Sequence, residues 1–436
     1  DTGSTDRTRA VALGFGARVF EFPWRDDFAA ARNESLRHAT GEWVFWLDAD
    51  DRLDDDARDE LKRLFASLSE PAAYVMKCRC VAARPGGSET VVDHVRLFPN
   101  DARLAWRYRV HEQILPAVRE LGLPVRWADV AVRHVGYTDP TVRRQKLDRD
   151  LRLLRLEDAE HPDDPFTLFN LGSVYSELEQ PAVALPLLRR SLAKSAPQDS
   201  IVRKLFALIV ECERALGRPG EALAACAEGR RVCPGDAELL FLEALCHRDA
   251  GAGARAEECL RELVSGADGQ HFASVEAGLR GHKARHLLAV LASEAGRPEE
   301  ARQHLQAAVE HNAAFVPGWL GLADLALDAQ RWDEVDRVAA RLREFGPDAT
   351  AEADFLVGRM HLARGAFEPA KVAAAAAITA APAAVAPRVL LSHVLLREGT
   401  DLPAAERALR DVLALAPSHP EAQHNLSILL ARLSAP

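Results

Sequence analysis

Residues 43–47 read WVFWL, an uncharged aromatic and branched run that stops at Asp48, Asp50 and Asp51. Such a run is the pattern of a buried central strand. Strand patterns also occur at 17–22 (ARVFEF), 73–79 (AYVMKCR), 91–98 (VVDHVRLF) and 124–135 (PVRWADVAVRHV). Between 17–22 and a strand read as 43–49, residues 26–41 have helical spacing, with acidic residues at the start and Gly41 at the end. Strand, helix, strand predicts a parallel crossover and therefore an α/β sheet. In such sheets ligands bind beyond the carboxyl ends of the strands. That edge is where Asp48 and Asp50 fall. The chain opens with DTGSTDRT, a turn-rich stretch of the kind that follows a strand. The first domain is therefore expected to lack its beginning, and Asp1 to sit at the same edge.

From about residue 141 the strand patterns stop. A charged amphipathic helix (TVRRQKLDRDLRLLRLEDAEH) is broken by PDDP at 162–165, and the remainder is rich in Ala, Leu, Arg and Glu. Gly217 and Gly251, Ala222 and Ala256, Gly365 and Gly399, and Ala370 and Ala404 are each 34 residues apart. That period is the one tetratricopeptide repeats have. Copies are read at 351–382, from Phe166 to Pro197, and around Trp319, Leu322 and Ala323 with Pro347. Small residues let the paired helices approach, and proline ends the second helix. Seven copies of uneven quality are expected, with PEAQHNLSILLARL as a capping helix. The expected domains are 1–137, a linker helix at 138–164, and repeats over 165–436.

Composition narrows the classes. The 436 residues carry 65 acidic and 55 basic side chains, a formal charge of −10. This argues against a nucleic-acid binder, which would show a basic footprint. Seven cysteines without a C-x-x-C pair suggest free thiols in a reducing compartment. No apolar run reaches membrane-spanning length and no leader pattern stands at the start, so a cytoplasmic location is expected.

Asp54–Asp56 precede a helix and are suited to its N-cap and first turn. Asp48 and Asp50 lie earlier, and i, i+2 side chains of a strand share a face. Two carboxylates on one side of an edge suit Mg²⁺ or Mn²⁺ completed by substrate phosphates. Cys78 and Cys80 lack a second pair for zinc. The cysteines at 212, 226, 233, 246 and 259 fall in repeat helices as ordinary small residues. Residues 85–87 (PGG) read as a turn. Arg96 could face a phosphate, but exposed strand arginines are common, and it is assigned no role.

DTGSTDRT followed by FAAARNESLRHATGEWVFWLDADD, with RLFPN, WRYRVHEQI and VRHVGY beyond, resembles family 2 glycosyltransferases of the GT-A fold. The likeness is to the bacterial branch that often carries tetratricopeptide repeats, and it covers nearly all of residues 1–137. The resemblance implies an α/β GT-A domain followed by an all-α superhelix. It further implies transfer of a sugar from a nucleotide-diphosphate donor, UDP being the expected nucleotide, with a divalent cation and inversion. By position, it implies that Asp1, Arg32, Asn33 and Asp48 face the nucleotide, that Asp50 and His134 bind metal, and that Glu112 is the general base. His111 remains an alternative to Glu112, since either could take a proton from an acceptor. Expected partners are a protein, peptide or glycan acceptor and proteins held in the concave face of the repeats. A scaffold of repeats with a vestigial transferase domain is the competing reading.

Overall fold

The computed structural model describes residues 1–80, 89–136, 140–267 and 274–433. The turn expected at 85–87 lies outside them. The first elements are α1 (Thr8–Gly14), α2 (Phe28–Arg37), β1 (Trp43–Phe45), β2 (Asp51–Arg52), α3 (Asp55–Ser67), β3 (Ala73–Cys80), β4 (Thr90–Pro99), α4 (Leu115–Glu120) and β5 (Val125–His134). Their strands form a mixed sheet in the order β1-β4-β3-β5-β2, with β3 and β5 parallel and the other pairs antiparallel.

Two expectations change. Residues 17–22 form no strand; their backbone meets Asp1, whose amino group donates to the Phe20 carbonyl and whose carbonyl accepts from Phe22 N–H. The parallel pair is consequently β3/β5, not 17–22 with β1. The strand read as 43–49 ends at Phe45 because the chain turns, with Asp51 N–H donating to the Asp48 carbonyl at 3.0 Å. Asp48 and Asp50 thus owe their proximity to a turn, not to strand alternation.

Apolar side chains cover both faces of the sheet. On one, Ala29 of α2 and Ala117 and Val118 of α4 pack with Val75, Val95 and Phe98. On the other, Ala57 and Leu61 of α3 pack with Tyr74, Met76 and Leu97. Two-sided burial explains why β3 and the second half of β4 show little polar alternation. Asp27 caps α2 by accepting from Ala30 N–H, and Asp54 caps α3 by accepting from Ala57 N–H, the role expected of the acidic cluster.

The helical part begins with α5 (Pro140–Glu160). Then come α6 (Pro165–Glu177) with α7 (Pro181–Lys194), α8 (Val202–Ala215) with α9 (Pro219–Val232), and α10 (Ala237–Asp249) with α11 (Gly253–Ser265). Gly172 of α6 is required by close packing: a Cβ there would stand 2.6 Å from Leu188 of α7. Beyond α11 the chain returns to the sheet. The two-residue strand β6 (Val275–Glu276) pairs antiparallel with Val91 and Thr90 of β4, and Ala277 N–H donates to the Glu89 carbonyl at 2.7 Å. Residues 1–280 form one compact unit.

A second unit, residues 281–436, continues the hairpins: α12 (Ala284–Glu294) with α13 (Pro298–His311), α14 (Val316–Asp328) with α15 (Trp332–Leu342), α16 (Pro347–Ala363) with α17 (Phe367–Ala380), and α18 (Ala386–Glu398) with α19 (Leu402–Leu415). The last described helix, α20 (Pro420–Leu433), packs against α19 through Ala422 and Leu429. None of the described helices is long and apolar enough to cross a membrane.

Candidate active site

The turn after β1 delivers three carboxylates to one place. Asp48, Asp50 and Asp51 gather with His134 at the end of β5, with one ligand atom from each lying within 4.8 Å of the others. Strand pairing fixes this meeting, since Asp51 of β2 is directly opposite His134. Asp51 is the buried centre. Its carboxylate accepts from Asp48 N–H at 2.8 Å and from Arg96 Nη1 at 2.7 Å, and it lies 3.1 Å from His134 Nδ1. Burial pushes the Asp51 carboxyl upward, but the Asp48 amide, Arg96 and His134 outweigh it and hold the group below its ordinary value.

The ionised Asp51 can only accept, so His134 carries its proton on Nδ1 and, when neutral, turns a lone pair outward at Nε2. That atom faces Asp50 Oδ2 at 3.5 Å. Two lone-pair donors aimed at each other are reconciled by a proton on the ring or by a metal cation, and an imidazole oriented by a carboxylate behind it is a common metal arrangement. The carboxylate oxygens suit Mn²⁺ or Mg²⁺, and the imidazole nitrogen favours Mn²⁺ of the two. The residues therefore fit the cation that the sequence led us to expect.

Arg32 joins this cluster to the next. From α2 its Nη2 donates to Asp48 at 2.8 Å and its Nε to Glu112 at 2.5 Å. Burial opposes its charge, yet Glu112 and Asp48 more than restore it. The guanidinium groups of Arg32 and Arg96 lie 4.3 and 3.8 Å from the centre of the Trp46 ring. Glu112, with Trp46, His94, Trp106 and Ile114, lines a cavity of about 10 Å³, room for one water. Burial drives the His94 imidazole down to about 4, with Arg96 adding to the effect, so it is neutral at pH 7.

Two expected residues are not part of the cluster. Asn33 donates to the Trp106 carbonyl at 2.9 Å and accepts from Trp106 N–H at 2.7 Å, so its amide ties α2 to the loop before α4. Asp1 accepts from Gly3 and Ser4 N–H and borders a separate cleft of about 310 Å³, with Arg9, Arg18 and the stacked rings of Phe20 and His38. His111 is exposed beside Glu112, with φ of 58°. Asp51 and Arg96 were missed by sequence reasoning, and Arg96 is only 2% exposed. A second group of possible ligands, Glu243, His247 and Cys259, already has its carboxylate paired with Arg230 at 2.7 Å.

Comparison with known proteins bears on this geometry. Residues 1–138 match the model of glycosyl transferase family 2, and residues 292–357 match a tetratricopeptide repeat model. The chain carries a family 2 glycosyltransferase domain and tetratricopeptide repeats. The transferase domain is the one that holds Arg32, Asp48, Asp50, Asp51, Glu112 and His134. A TPR repeat-containing protein of Synechococcus elongatus is 29% identical over 224 residues, which is 50% of this chain and 55% of that protein. The SPbeta prophage-derived glycosyltransferase SunS of Bacillus subtilis is 23% identical over 201 residues, 45% of this chain and 46% of that one. The lipopolysaccharide core biosynthesis glycosyltransferase LpsC of Rhizobium meliloti is 31% identical over 125 residues, 27% of this chain and 46% of its own. The chain spans about half the length of the curated relatives it matches. A tetratricopeptide repeat protein from Parabacteroides merdae aligns with 61% of this chain and 98% of its own, at 15% identity and a TM-score of 0.47.

Proposed function

We propose that the transferase domain moves a sugar from a UDP-linked donor to a protein, peptide or glycan acceptor that the repeats help to present, with inversion at the sugar carbon. The observation that carries the reading is the opposition of Asp50 Oδ2 and His134 Nε2 at 3.5 Å, with Asp51 behind the ring. Asp50 and His134 would hold a divalent cation, which supplies charge neutralisation for the departing diphosphate. Glu112 takes the proton of the acceptor hydroxyl or thiol as its oxygen or sulfur attacks the sugar carbon. The new bond forms opposite the breaking carbon–oxygen bond, whose electron pair leaves on the diphosphate. Arg32 holds Asp48 and Glu112 by two arms of one guanidinium, so the base and the nucleotide-facing carboxylate keep a fixed separation. Asp1 and the cleft beside Phe20 and His38 would take the nucleotide base and ribose. Asn33 contributes indirectly, by setting the Trp106 backbone.

Calorimetric titration of UDP with and without Mn²⁺ tests the reading. Wild type should bind UDP more tightly with Mn²⁺ present, and Asp50→Ala should lose that metal-dependent gain. Absence of binding for UDP, GDP and dTDP alike would favour the scaffold function instead.

A further inference from the structure

The loop that carries Glu112 belongs to the transferase domain by sequence, yet it is held in place by the helical region. Three consecutive residues make the attachment. The Tyr108 ring packs on Phe166 of α6, with centroids 4.5 Å apart. Arg109 N–H donates to Glu157 Oε2 of α5 at 2.9 Å, and the Arg109 guanidinium pairs with Glu160 of the same helix at 2.5 Å. Val110 is buried among Leu153, Leu154, Leu171 and Val174 of α5 and α6. On the other side, Phe28 N–H donates to the Arg109 carbonyl at 2.8 Å, which ties the loop to the start of the helix bearing Arg32.

The backbone shows that the loop needs holding. Tyr108 and His111 have φ of 73° and 58°, a region costly for residues with side chains and kept only where surroundings enforce it. Glu157 is 7% exposed, and a buried carboxylate is retained only with partners. One of its oxygens is committed to the Arg109 amide, three residues before Glu112.

We propose that α5 and α6 are part of the catalytic apparatus, and that Glu157 is a positioning residue. By fixing the Arg109 amide it sets the loop so that Glu112 meets Arg32. This rests on Glu112 acting as the base, as proposed above, and it assigns the linker helix and the helix after it a task separate from acceptor presentation.

The test uses the full chain with Glu157→Ala and Glu157→Gln. Gln keeps an oxygen that can accept the Arg109 N–H, whereas Ala does not. Hydrogen–deuterium exchange should show residues 107–113 of Glu157→Ala exchanging at least about tenfold faster, with β3 and α3 unchanged. Mn²⁺-dependent UDP binding should stay within about twofold of wild type. Turnover, read as UDP released from UDP-glucose or UDP-N-acetylglucosamine, should fall about 10²-fold in kcat with little change in KM, the penalty of a misplaced catalytic group. Glu157→Gln should restore both exchange and turnover. Wild-type exchange in 107–113 of Glu157→Ala, or a Gln variant as impaired as the Ala one, would overturn the proposal. Should Glu157→Ala not fold, Phe166→Leu loosens the same loop through Tyr108, and unaltered exchange there would overturn it equally. Failure of wild type to bind UDP would count against the transferase reading alone, because the exchange experiment needs no donor.

Discussion

Arg96→Met is the sharpest test of the buried centre. Arg96 and Asp51 form an ion pair at 2.7 Å whose side chains are 2% and 0% exposed. Methionine fills much of the same space and removes the charge. Among the described residues, the Asp51 carboxylate would then be buried with the Asp48 amide and His134 as its remaining partners. Removing one member of a buried pair costs about 3–5 kcal/mol, chiefly because the other charge is stranded. The lost cation–π contact with Trp46 is included in that figure, since contacts sharing one side chain do not add. With an m-value near 2 kcal/mol/M, the urea midpoint should fall by about 2 M. Tryptophan fluorescence suits the measurement, because Trp24, Trp43, Trp46, Trp106 and Trp127 of the seven tryptophans lie in the transferase domain. The double variant Arg96→Met with Asp51→Leu should be less damaging than the sum of the singles by at least about 1 kcal/mol. A midpoint shift under about 0.5 M for Arg96→Met, or strict additivity, would refute the view that Asp51 depends on this arginine.

His94 makes stability pH-dependent. Above pH 6.5 it is neutral whether folded or unfolded; between 6.5 and about 4 the unfolded chain takes up a proton that the folded chain refuses. Stability should therefore fall across that window by up to about 3 kcal/mol, and urea melts of His94→Gln at pH 7 and pH 4.5 should show a smaller fall than wild type. In the repeats, Gly172→Ala drives a methyl into Leu188 and should destabilise the α6/α7 hairpin by about 1–3 kcal/mol. Faster hydrogen exchange confined to that hairpin and its neighbours would be the sign, and an unchanged protection pattern would show that Leu188 simply rotates away.

Local signals carried much of this architecture. The helix before the acidic run, the caps at Asp27 and Asp54 and the 34-residue period each depend on neighbours along the chain, and the structure has the corresponding elements. Asp48, Asp50 and His134 were legible because their spacing resembles a known pattern. Arg96 was not, because an arginine on a strand is commonly exposed and it was set aside as such. β4 is buried on both faces from Val95 to Phe98, so an arginine in that run had to be buried with a counter-ion. VRLF read without alternation would have pointed to it. The clamp on residues 108–110 left no comparable trace. Its partners are more than 40 residues away, and a contact between a loop amide and a distant carboxylate has no period.

The pairing of β6 with β4 ties a strand of the transferase sheet to a segment made much later. Thr90 and Glu276 are 186 residues apart (276 − 90), with three helical hairpins between them. At about 5–20 residues per second, a ribosome takes roughly 10–40 s to supply the second strand. For that interval the end of β4 presents unpaired amide and carbonyl groups, the kind of edge that pairs with other chains. Production of the protein thus has a vulnerable period that its finished fold conceals, and slower translation lengthens it.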